Sequence, residues 1–506
     1  MESNIQQFFS CSSAHSDLWK IMEQAIDARS YTTNTNYNGI ENFPSKPISF
    51  SEYWKNLQDT ILPHTVNVRH PKFIGHMTSS IPNFFQELAR FVTMINQNVV
   101  KTETSDILTF IERKSLEYIH NKVYQKDTDF YSNISTNGNY ALGTVTSNGS
   151  LSNTMAMWIA RNRVLESAEF SCESDGISAC LAHKKYKHAV IICSTLAHYS
   201  IKKIASLIGI GTKNIIAIDV DDRGQILLND LEQELLQCKK NKVCVIALWA
   251  VAGSTELGSI DPLEEMAQLA EKYNTHFHVD AAWGGIFALT KYAQLLKGIE
   301  KADTVTMCGH KQFYLPQGIS IILAKKPDYM RKVETQARYQ ARSHSFDLGR
   351  WSLEGSRPAN SLFLHAAFYC IGCDGYQLLV NHSFELRKYF VQKINASQEF
   401  ELVTQPYTNI VTYRYIPHLL RNKAFHDEKQ HNIINEINKS LQKKQWQQGH
   451  SFVSQTTVNL PQYQLRNTVI LRTALINPNT NKEDLDSILS EQLHLVSSIE
   501  KEAKYL

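Results

Sequence analysis

The sequence predicts an α/β fold in which a mainly parallel sheet is flanked by helices. Short apolar segments alternate with helical segments of about ten to fifteen residues through the middle of the chain, which is typical of βαβ units. The length of 506 residues, with 43% hydrophobic and 20% charged residues, is typical of a globular chain with a large core. The longest apolar run, residues 243–252, is rich in β-branched residues and far shorter than the roughly 20 residues that span a bilayer. It therefore predicts a buried strand.

The individual elements follow from local patterns. Helices are predicted where apolar residues return at every third or fourth position, as at Phe84, Leu88 and Phe91, and strands where short runs are continuously apolar. The predicted helices lie at 83–124, after Ser150, after His198, and at 230–238, 262–273 and 431–447, and the predicted strands at 189–193, 214–218, 243–249, 276–279 and 468–475. Beyond about residue 375, Lys- and Gln-rich helices alternate with isolated strands. This change predicts a smaller α+β domain at 376–506.

Composition argues against several classes of function. The 52 Lys and Arg residues against 49 Asp and Glu leave a formal charge of +3, which argues against nucleic-acid binding by bulk positive charge. No secretory signal is visible, and the nine scattered cysteines do not indicate a disulfide scaffold. Cys370 and Cys373 form a C-x-x-C, but no second pair stands at zinc-site spacing. We expect reduced thiols, no metal, and a cytoplasmic protein that binds neither nucleic acid nor membrane.

The strongest chemical pattern is an acid at a strand end followed by a lysine on a turn. Asp280 follows the strand at 276–279 and precedes small residues, and Lys311 ends the string CGHK. Ligands of open α/β sheets gather at the carboxyl ends of the strands. A lysine there can form an imine with an aldehyde, and an acid can pair with a protonated ring nitrogen, and pyridoxal phosphate is the cofactor that needs both. The alternative is a helix-capping Asp and a surface Lys, but the small-residue surroundings favour the cofactor.

Other segments can complete such a site. The string TSNGS at 146–150 leads into a predicted helix, whose N-terminus can bind phosphate through free N–H groups, although a plain Ser N-cap is the alternative. His198, between a strand and a helix, can stack on a cofactor ring or simply cap the helix. Ser254 and Thr255 follow the strand at 243–249, where their hydroxyls can bind the cofactor or its phosphate or form an ordinary turn.

Together these segments resemble the group II pyridoxal-phosphate-dependent amino-acid decarboxylases, the superfamily of glutamate and aromatic amino-acid decarboxylases. The matching motifs stand in the family's order over about residues 65–485. They are TSNGSLSN at 146–153, HYSIKK at 198–203, AGST at 252–255, HVDAAWGG at 278–285 and GHK at 309–311. The resemblance implies fold type I, the aspartate-aminotransferase-like fold of PLP-dependent transferases, with a large PLP-binding domain at 96–375.

By this resemblance, the motifs contribute to one cofactor site. Lys311 is implied to hold the cofactor as a Schiff base, Asp280 to pair with the ring nitrogen, and His198 to stack on the ring and protonate the substrate carbon. Arg472 matches the arginine that holds the substrate α-carboxylate, with a surface arginine on an edge strand as the alternative. The other implied cofactor contacts are Ala282 against the ring, Asn148, Gly149 and Ser150 on the phosphate, His310 beside the lysine, Ser254 where the family usually has Thr, and Ser356 in the segment that reaches the partner subunit's phosphate.

The resemblance also implies a homodimer with the active site at the subunit interface. Residues 1–95 are expected to pack on the partner subunit. The family closes a mobile loop carrying a tyrosine over the site, and the polar, strand-poor stretch at 331–350 is typical of such a lid. Tyr339 is the only tyrosine of this stretch and is therefore the candidate proton donor.

The substrate is expected to be an acidic amino acid. The string PKFIGHMTSS at 71–80 corresponds to the family's substrate-pocket segment, in which animal-type glutamate decarboxylases usually carry Asn-Gln in place of Gly75 and His76. This string and GHKQFYLPQG at 309–318 look more like the bacterial pyridoxal-dependent aspartate 1-decarboxylases. His76 and Thr78 are candidates for binding the acidic side chain. The sequence thus favours decarboxylation of L-aspartate to β-alanine and CO₂, with glutamate and then an aromatic amino acid as alternatives.

Two rival hypotheses keep the same fold. Sphingosine-phosphate lyases and cysteine desulfurases also use a lysine in a His-Lys pair after a strand-end Asp, but the HYS string at 198–200 and the context of Arg472 favour decarboxylation. A non-catalytic interaction protein is the second rival, and the intact Lys311 and Asp280 argue against it.

Overall fold

The centre of the molecule is a seven-stranded sheet. The computed structural model describes residues 5, 43–337, 344–421, 427–463 and 465–502. The strands are β1 (Gly143–Thr146), β2 (Ala189–Ser194), β3 (Ile215–Ile218), β4 (Cys244–Val251), β5 (His276–Asp280), β6 (Thr304–Cys308) and β7 (Ser320–Ala324). Their order is β1-β7-β6-β5-β4-β2-β3. Strands β2 to β6 run parallel, and β7 is antiparallel to β6 and β1. The predicted mainly parallel sheet is therefore confirmed.

Both faces of this sheet are buried. In β2, Val190 and Ile192 enter one apolar cluster, and Ile191 and Cys193 enter another, because successive strand side chains point to opposite faces. In chain order, the α-helices of the described residues 43–502 are α1 (Phe50–Asn56), α2 (Phe84–Ile95), α3 (Thr102–Ser105), α4 (Ile107–Tyr124), α5 (Thr128–Ser135), α6 (Gly149–Leu165), α7 (Gly176–His183), α8 (Ser200–Leu207), α9 (Leu228–Asn241), α10 (Leu263–Lys272), α11 (Pro327–Met330), α12 (Ser361–Cys370), α13 (Gly372–Ala396), α14 (Glu428–Gln448) and α15 (Lys482–Glu502). The continuous burial explains why the central strands have no polar alternation in sequence.

A smaller antiparallel sheet forms the C-terminal part. Its strands are β8 (Phe400–Leu402), β9 (Ile410–Tyr415), β10 (Ser454–Val458) and β11 (Thr468–Ala474), in the order β10-β11-β9-β8. It shares an apolar cluster with α13, α14 and α15, in which Tyr413, Leu441 and Ile488 are buried. These elements give this part the α+β character that the sequence predicts. Helix α13 crosses the expected boundary near residue 375, and the division at 95 and 375 stays a prediction.

The predicted helix at 83–124 is interrupted. Asn96 ends α2 in the left-handed conformation with φ of 44°, and its N–H bonds to the Val92 carbonyl. Asp106, with φ of 37°, then separates α3 from α4. Asparagine and aspartate tolerate such angles better than other non-glycine residues, so apolar spacing alone does not reveal these breaks. Strands β1, β6 and β7 of the central sheet and β8, β9 and β10 of the small sheet were not among the predicted strands either.

The remaining expectations concern thiols and membranes. Among the described residues, the cysteines are all free, and Cys373 Sγ lies 3.3 Å from the hydroxyl of Tyr118. Cys370 is exposed at the end of α12. Within the same part of the chain, no helix combines the length and apolar character needed to cross a membrane.

Candidate active site

Asp280 and Lys311 come together at one edge of the central sheet. β5 ends at Asp280, which pairs in register with Thr306 of the parallel β6. β6 ends at Cys308, just before the turn that carries Lys311. Because parallel strands present their carboxyl ends at the same edge, two residues far apart in sequence share one site there. This is the pairing that the sequence predicts.

The carboxylate of Asp280 is held from two sides. The residue is only 5% exposed. Its Oδ2 accepts a hydrogen bond from Asn153 Nδ2 at 2.8 Å, and its Oδ1 accepts one from the backbone N–H of Ala282 at 3.1 Å. Hydrogen bonds to a carboxylate favour its ionised form and fix its direction. Asp280 is therefore suited to face a cationic ring nitrogen.

The predicted phosphate cradle lies at the N-terminus of α6. Asn148 caps the helix, and its Oδ1 accepts from the Leu151 N–H at 2.9 Å. A Cβ at Gly149 would lie 2.5 Å from Cys308 Sγ, so the end of α6 approaches β6 more closely than a side chain permits. Just before the helix, the Ser147 N–H donates to Glu354 Oε2 at 3.2 Å. The free N–H groups of this helix end and its dipole favour an anion.

Two histidines border Lys311. Burial lowers the pKa of His198, and the charge of Lys311 lowers it further, against the opposing charge of Asp280. His198 Nδ1 lies 2.9 Å from the Ser200 hydroxyl. Burial and then the charge of Lys311 lower the pKa of His310 to about 4. Within the described part of the chain, His310 Nδ1 is buried and has no hydrogen-bond partner. Both imidazoles are therefore neutral near pH 7.

For three other predicted residues, no described contact bears on the predicted role. Ser254 is buried, and its hydroxyl lies 2.7 Å from that of Ser259 in the same loop, so this hydroxyl already has a partner. Ser356 is exposed in the segment that follows Glu354. Tyr339 lies outside the described residues. The roles of all three stay predictions.

Arg472 lies at the site because β11 runs beside the segment around Gly75. Ile74 bonds through its N–H to the Phe452 carbonyl and through its carbonyl to the Ala474 N–H. Arg472 donates from Nη2 to the Gly75 carbonyl at 2.9 Å, from Nη1 to the Thr255 carbonyl at 2.8 Å, and from Nε to the Ser454 hydroxyl at 2.9 Å. A guanidinium has five N–H groups, so one remains on each terminal nitrogen. These two N–H groups remain as donors for an anion.

His76 lies at the mouth of the site. Its Nδ1 accepts from the Thr78 N–H at 3.2 Å and lies 2.6 Å from the Thr78 hydroxyl. The surrounding protein, and then the charges of Arg472 and Lys311, lower the pKa of His76. A neutral ring that accepts at Nδ1 carries its proton on Nε2. His76 can therefore donate to an anionic group through Nε2.

The sequence interpretation missed Glu256. Burial raises the pKa of this carboxyl, although its own backbone N–H and the charge of Arg472 oppose the shift, and its Oε2 has no hydrogen-bond partner in the described chain. The sequence interpretation also gave no role to Asn153. Glu256 directly follows Thr255, the last residue of the AGST string, and Asn153 lies within the matched string at 146–153. Their positions beside or within these two motifs were the signal that could have found them.

Comparison with known proteins agrees with this geometry. The chain matches the family model described as the pyridoxal-dependent decarboxylase conserved domain over residues 37–416. The chain belongs to the pyridoxal-dependent decarboxylase family. This decarboxylase is 39% identical over 465 residues to an aspartate 1-decarboxylase of Aliivibrio fischeri, over 90% of this chain and 85% of the relative. It is also 28% identical over 443 residues to the acidic amino acid decarboxylase GADL1 of Mus musculus, over 85% of this chain and 74% of the relative.

Solved structures share the fold of this decarboxylase. Mouse CSAD in apo form has a TM-score of 0.78 at 22% identity, covering 96% of this chain and 93% of that one. Catharanthus roseus tryptophan decarboxylase in complex with L-tryptophan has a TM-score of 0.78 at 19% identity, covering 95% and 96%. The fold is thus the fold type I that the sequence predicts.

Pyridoxal phosphate is the cofactor of this decarboxylase, and the residues at the strand edge fit it. The N-terminus of α6 suits a phosphate, because a helix of this length ends in a positive dipole and in N–H groups without partners inside the helix. The unpartnered Nδ1 of His310 has hydrogen-bonding capacity to offer. Asp280 presents a fixed carboxylate, and Lys311 brings a primary amine to the same edge. The enzyme is therefore a carboxy-lyase acting on an amino acid.

Proposed function

We propose that this decarboxylase is an aspartate 1-decarboxylase that converts L-aspartate to β-alanine and CO₂. The observation that carries the proposal is Arg472, which the chain itself orients with one N–H left on each terminal nitrogen. His76 provides a second donor for an anion at the same site. A substrate with two carboxylates matches these two groups. The 39% identical relative named aspartate 1-decarboxylase supports the same substrate.

Each carboxylate of aspartate has a proposed partner. Arg472 holds the α-carboxylate, because a guanidinium fork matches a carboxylate with two parallel hydrogen bonds. His76 and Thr78 hold the side-chain carboxylate. The side chain of aspartate is one methylene shorter than that of glutamate, so its partner must reach further toward the cofactor. A histidine on the segment beside β11 meets this need, which favours aspartate.

The catalytic residues act around the cofactor. When bound, pyridoxal phosphate supplies an electron-withdrawing ring that accepts the electron pair of the bond to the departing carboxylate. Lys311 is proposed to hold the aldehyde through its amine, Asp280 to keep the ring nitrogen protonated, and His198 to stack on the ring. The α-carbon of the substrate loses CO₂ and gains one proton. We assign this proton to Tyr339, with His198 as the alternative donor.

The remaining contacts are proposed to hold the cofactor in place. The proposed contacts are Asn148, Gly149 and Ser150 on the phosphate, His310 and Ser254 beside it, Ala282 against the ring, and Ser356 of the partner subunit on the phosphate. A phosphate at the end of α6 orients the ring relative to Asp280, because the helix and the strand are both rigid parts of the fold.

We also propose a homodimer with the active site at the interface. Helix α4 exposes Ile107 (62% exposed) beside Phe110, and helix α12 separately exposes Tyr369 (80% exposed). Large apolar and aromatic side chains of this kind are enriched in protein interfaces. Ser356 is exposed next to Arg357, on a segment whose Glu354 reaches the phosphate loop. A partner chain that covers this surface would complete the site.

Product identification tests the proposal. The purified enzyme with its cofactor is given an equimolar mixture of aspartate, glutamate and an aromatic amino acid, and the amines are identified by mass spectrometry. We expect β-alanine as the main product. γ-Aminobutyrate as the main product would instead make glutamate the substrate, the second candidate that the acidic amino acid decarboxylase relative keeps open. Lys311→Ala should yield no amine and no visible cofactor band, and the absence of CO₂ from all three substrates would overturn both candidates.

A further inference from the structure

A row of buried polar side chains leads away from Asp280 along β5. Asn153 Nδ2 donates to Asp280 Oδ2 at 2.8 Å, and Asn153 Oδ1 lies 3.1 Å from His278 Nε2. His278 Nδ1 lies 3.0 Å from the Thr304 hydroxyl, which lies 2.8 Å from His276 Nε2. The two histidines share one face of β5 because they are two residues apart. All five residues are buried. The row therefore connects the cofactor edge of the sheet with the opposite end of the strand.

An arginine completes the far end. Arg163 Nη1 lies 3.2 Å from His276 Nδ1 and donates to Asp303 Oδ2 at 2.8 Å. Asp303 also accepts from the Phe277 N–H at 2.9 Å. The arginine is thus fixed in place by an ion pair. The row begins at a cation and ends at the carboxylate of Asp280.

The two ends determine the direction of every hydrogen bond between them. A carboxylate only accepts and a guanidinium only donates. Asn153 must turn its NH₂ toward Asp280, so its carbonyl accepts from His278 Nε2–H. His278 Nδ1 then accepts from the Thr304 hydroxyl, whose oxygen accepts from His276 Nε2–H. His276 Nδ1 accepts from the guanidinium. One arrangement satisfies all partners, and in it every N–H and O–H points toward Asp280.

This arrangement requires both histidines to be neutral. Burial lowers the pKa of His278 to about 3 and that of His276 to about 4, with the neighbouring Asp280 and Asp303 opposing the respective shifts. Each ring then carries a single N–H, as the direction demands. Aligned hydrogen bonds in a low-dielectric interior polarise one another, which strengthens the last bond to the carboxylate.

We infer that Asn153, His278, Thr304 and His276 are positioning residues that hold the carboxylate of Asp280 aimed at the ring nitrogen of the cofactor. The inference rests on the proposed role of Asp280. Substitution of the outer residues that orient a metal ligand commonly lowers metal affinity or activity by about 10- to 100-fold. The same reasoning applies to residues that orient a carboxylate paired with a cofactor. Loss of one link should therefore weaken cofactor binding while the fold remains.

Thr304 offers the cleanest test. Thr304→Val removes the hydroxyl between the two histidines at nearly constant volume, and Thr304→Ser keeps it. We expect the dissociation constant for pyridoxal phosphate to rise by about tenfold in the valine variant and to stay within about twofold of the original in the serine variant. Thr412→Val, at a buried threonine of the small sheet, is the matched control, for which we expect an unchanged dissociation constant. The melting temperature of the cofactor-free protein reports the structural cost of each change.

A second variant acts beside Asp280 itself. Asn153→Asp keeps the shape but sets a carboxylate against Asp280, and like charges at this distance disfavour ionisation of one of them. We expect at least about tenfold weaker cofactor binding and a weaker visible band of the bound cofactor. Unchanged binding in both Thr304→Val and Asn153→Asp, or equal losses in Thr412→Val, would overturn the inference. Asp280→Ala tests the proposed role of Asp280 separately from the inference about the residues behind it. If this variant also binds the cofactor normally, the proposed role of Asp280 fails as well.

Discussion

The guanidinium of Arg472 is held in place by the chain itself, as its proposed role as a carboxylate partner requires. Its bonds to the carbonyls of Gly75 and Thr255 and to the Ser454 hydroxyl fix the plane of the guanidinium. A Cβ at Gly75 would collide with the backbone at Ser454, so the close approach of this segment depends on glycine. A donor group that is already oriented loses little entropy on binding. The ammonium group of a lysine is not planar and does not present two parallel N–H donors.

We therefore predict that Arg472→Lys lowers kcat/KM for aspartate by about 10- to 100-fold, because charge-assisted hydrogen bonds of about 1.5–3 kcal/mol are lost. Steady-state kinetics of β-alanine release measure this effect. Arg387→Lys is the matched control, since Arg387 also donates to backbone carbonyls, those of Tyr407 and Thr408. A kcat/KM within threefold of the original in the Arg472 variant would contradict the proposed role.

At the scale of one element, two proposed roles depend on α6. Its first turn presents free N–H groups at the cofactor edge, and Asn153 in its second turn holds Asp280. Both depend on how closely the helix packs on β6, where Gly149 meets Cys308 Sγ. The position of this helix therefore sets the distance between a phosphate and the carboxylate that pairs with the ring.

We predict that Gly149→Ala weakens binding of pyridoxal phosphate by about tenfold or more, because overpacking of about 1–3 kcal/mol displaces the helix end. The double variant Gly149→Ala with Cys308→Ala removes the atom that the new methyl group meets. We expect it to regain most of the affinity. Fluorescence titration of the cofactor-free protein measures both dissociation constants. A double variant that binds no better than Gly149→Ala would show that the space beside Cys308 is not the cause.

At the scale of the whole molecule, the exposed apolar residue Ile107 of α4 is our candidate for the proposed dimer interface. We predict that Ile107→Asp gives monomers without decarboxylase activity, because a charge in an apolar interface is costly to bury. Analytical ultracentrifugation and the product assay measure the two effects. Leu207→Asp changes a similarly exposed leucine on α8 and should leave a dimer. An active monomeric Ile107 variant would refute the shared site.

Acid should also destabilise the whole molecule. Burial lowers the pKa of His120 to about 3, and His276 and His278 are lowered in the same way. The unfolded chain takes up these protons below about pH 6.5 and the folded chain does not, so stability is full above this pH and falls as the pH falls toward about 4. Asp261, whose pKa burial raises to about 6, acts in the opposite sense.

His120→Gln tests this argument with one histidine that lies outside the row behind Asp280. Urea denaturation at about pH 7 and about pH 5 should show a smaller loss of unfolding free energy in the variant, by an order of 1 kcal/mol per pH unit for one proton. His120 binds the Tyr131 hydroxyl and the Ala324 carbonyl, so the variant also loses some stability at neutral pH. An identical pH dependence in both proteins would contradict the assignment.

Local patterns were enough to predict much of the fold. Continuous apolar runs predicted β2, β4 and β5 to within a few residues, because strands buried on both faces show no polar alternation. The breaks at Asn96 and Asp106 escaped, because a left-handed residue leaves the apolar spacing intact. The position of Asp280 was predictable because the end of a parallel strand is itself a local feature, whereas the strand before Lys311 was not predicted.

The sequence by itself determined the α/β character, the order of β2 to β5 and the family, since each depends on residues close together in the chain. Only the tertiary structure decided which residues from distant parts of the chain meet at the candidate site. Arg472 binds Gly75, nearly 400 residues away, and Asn153 reaches Asp280 from another element. Such contacts follow from how helices and strands pack, and packing has no signature in local spacing.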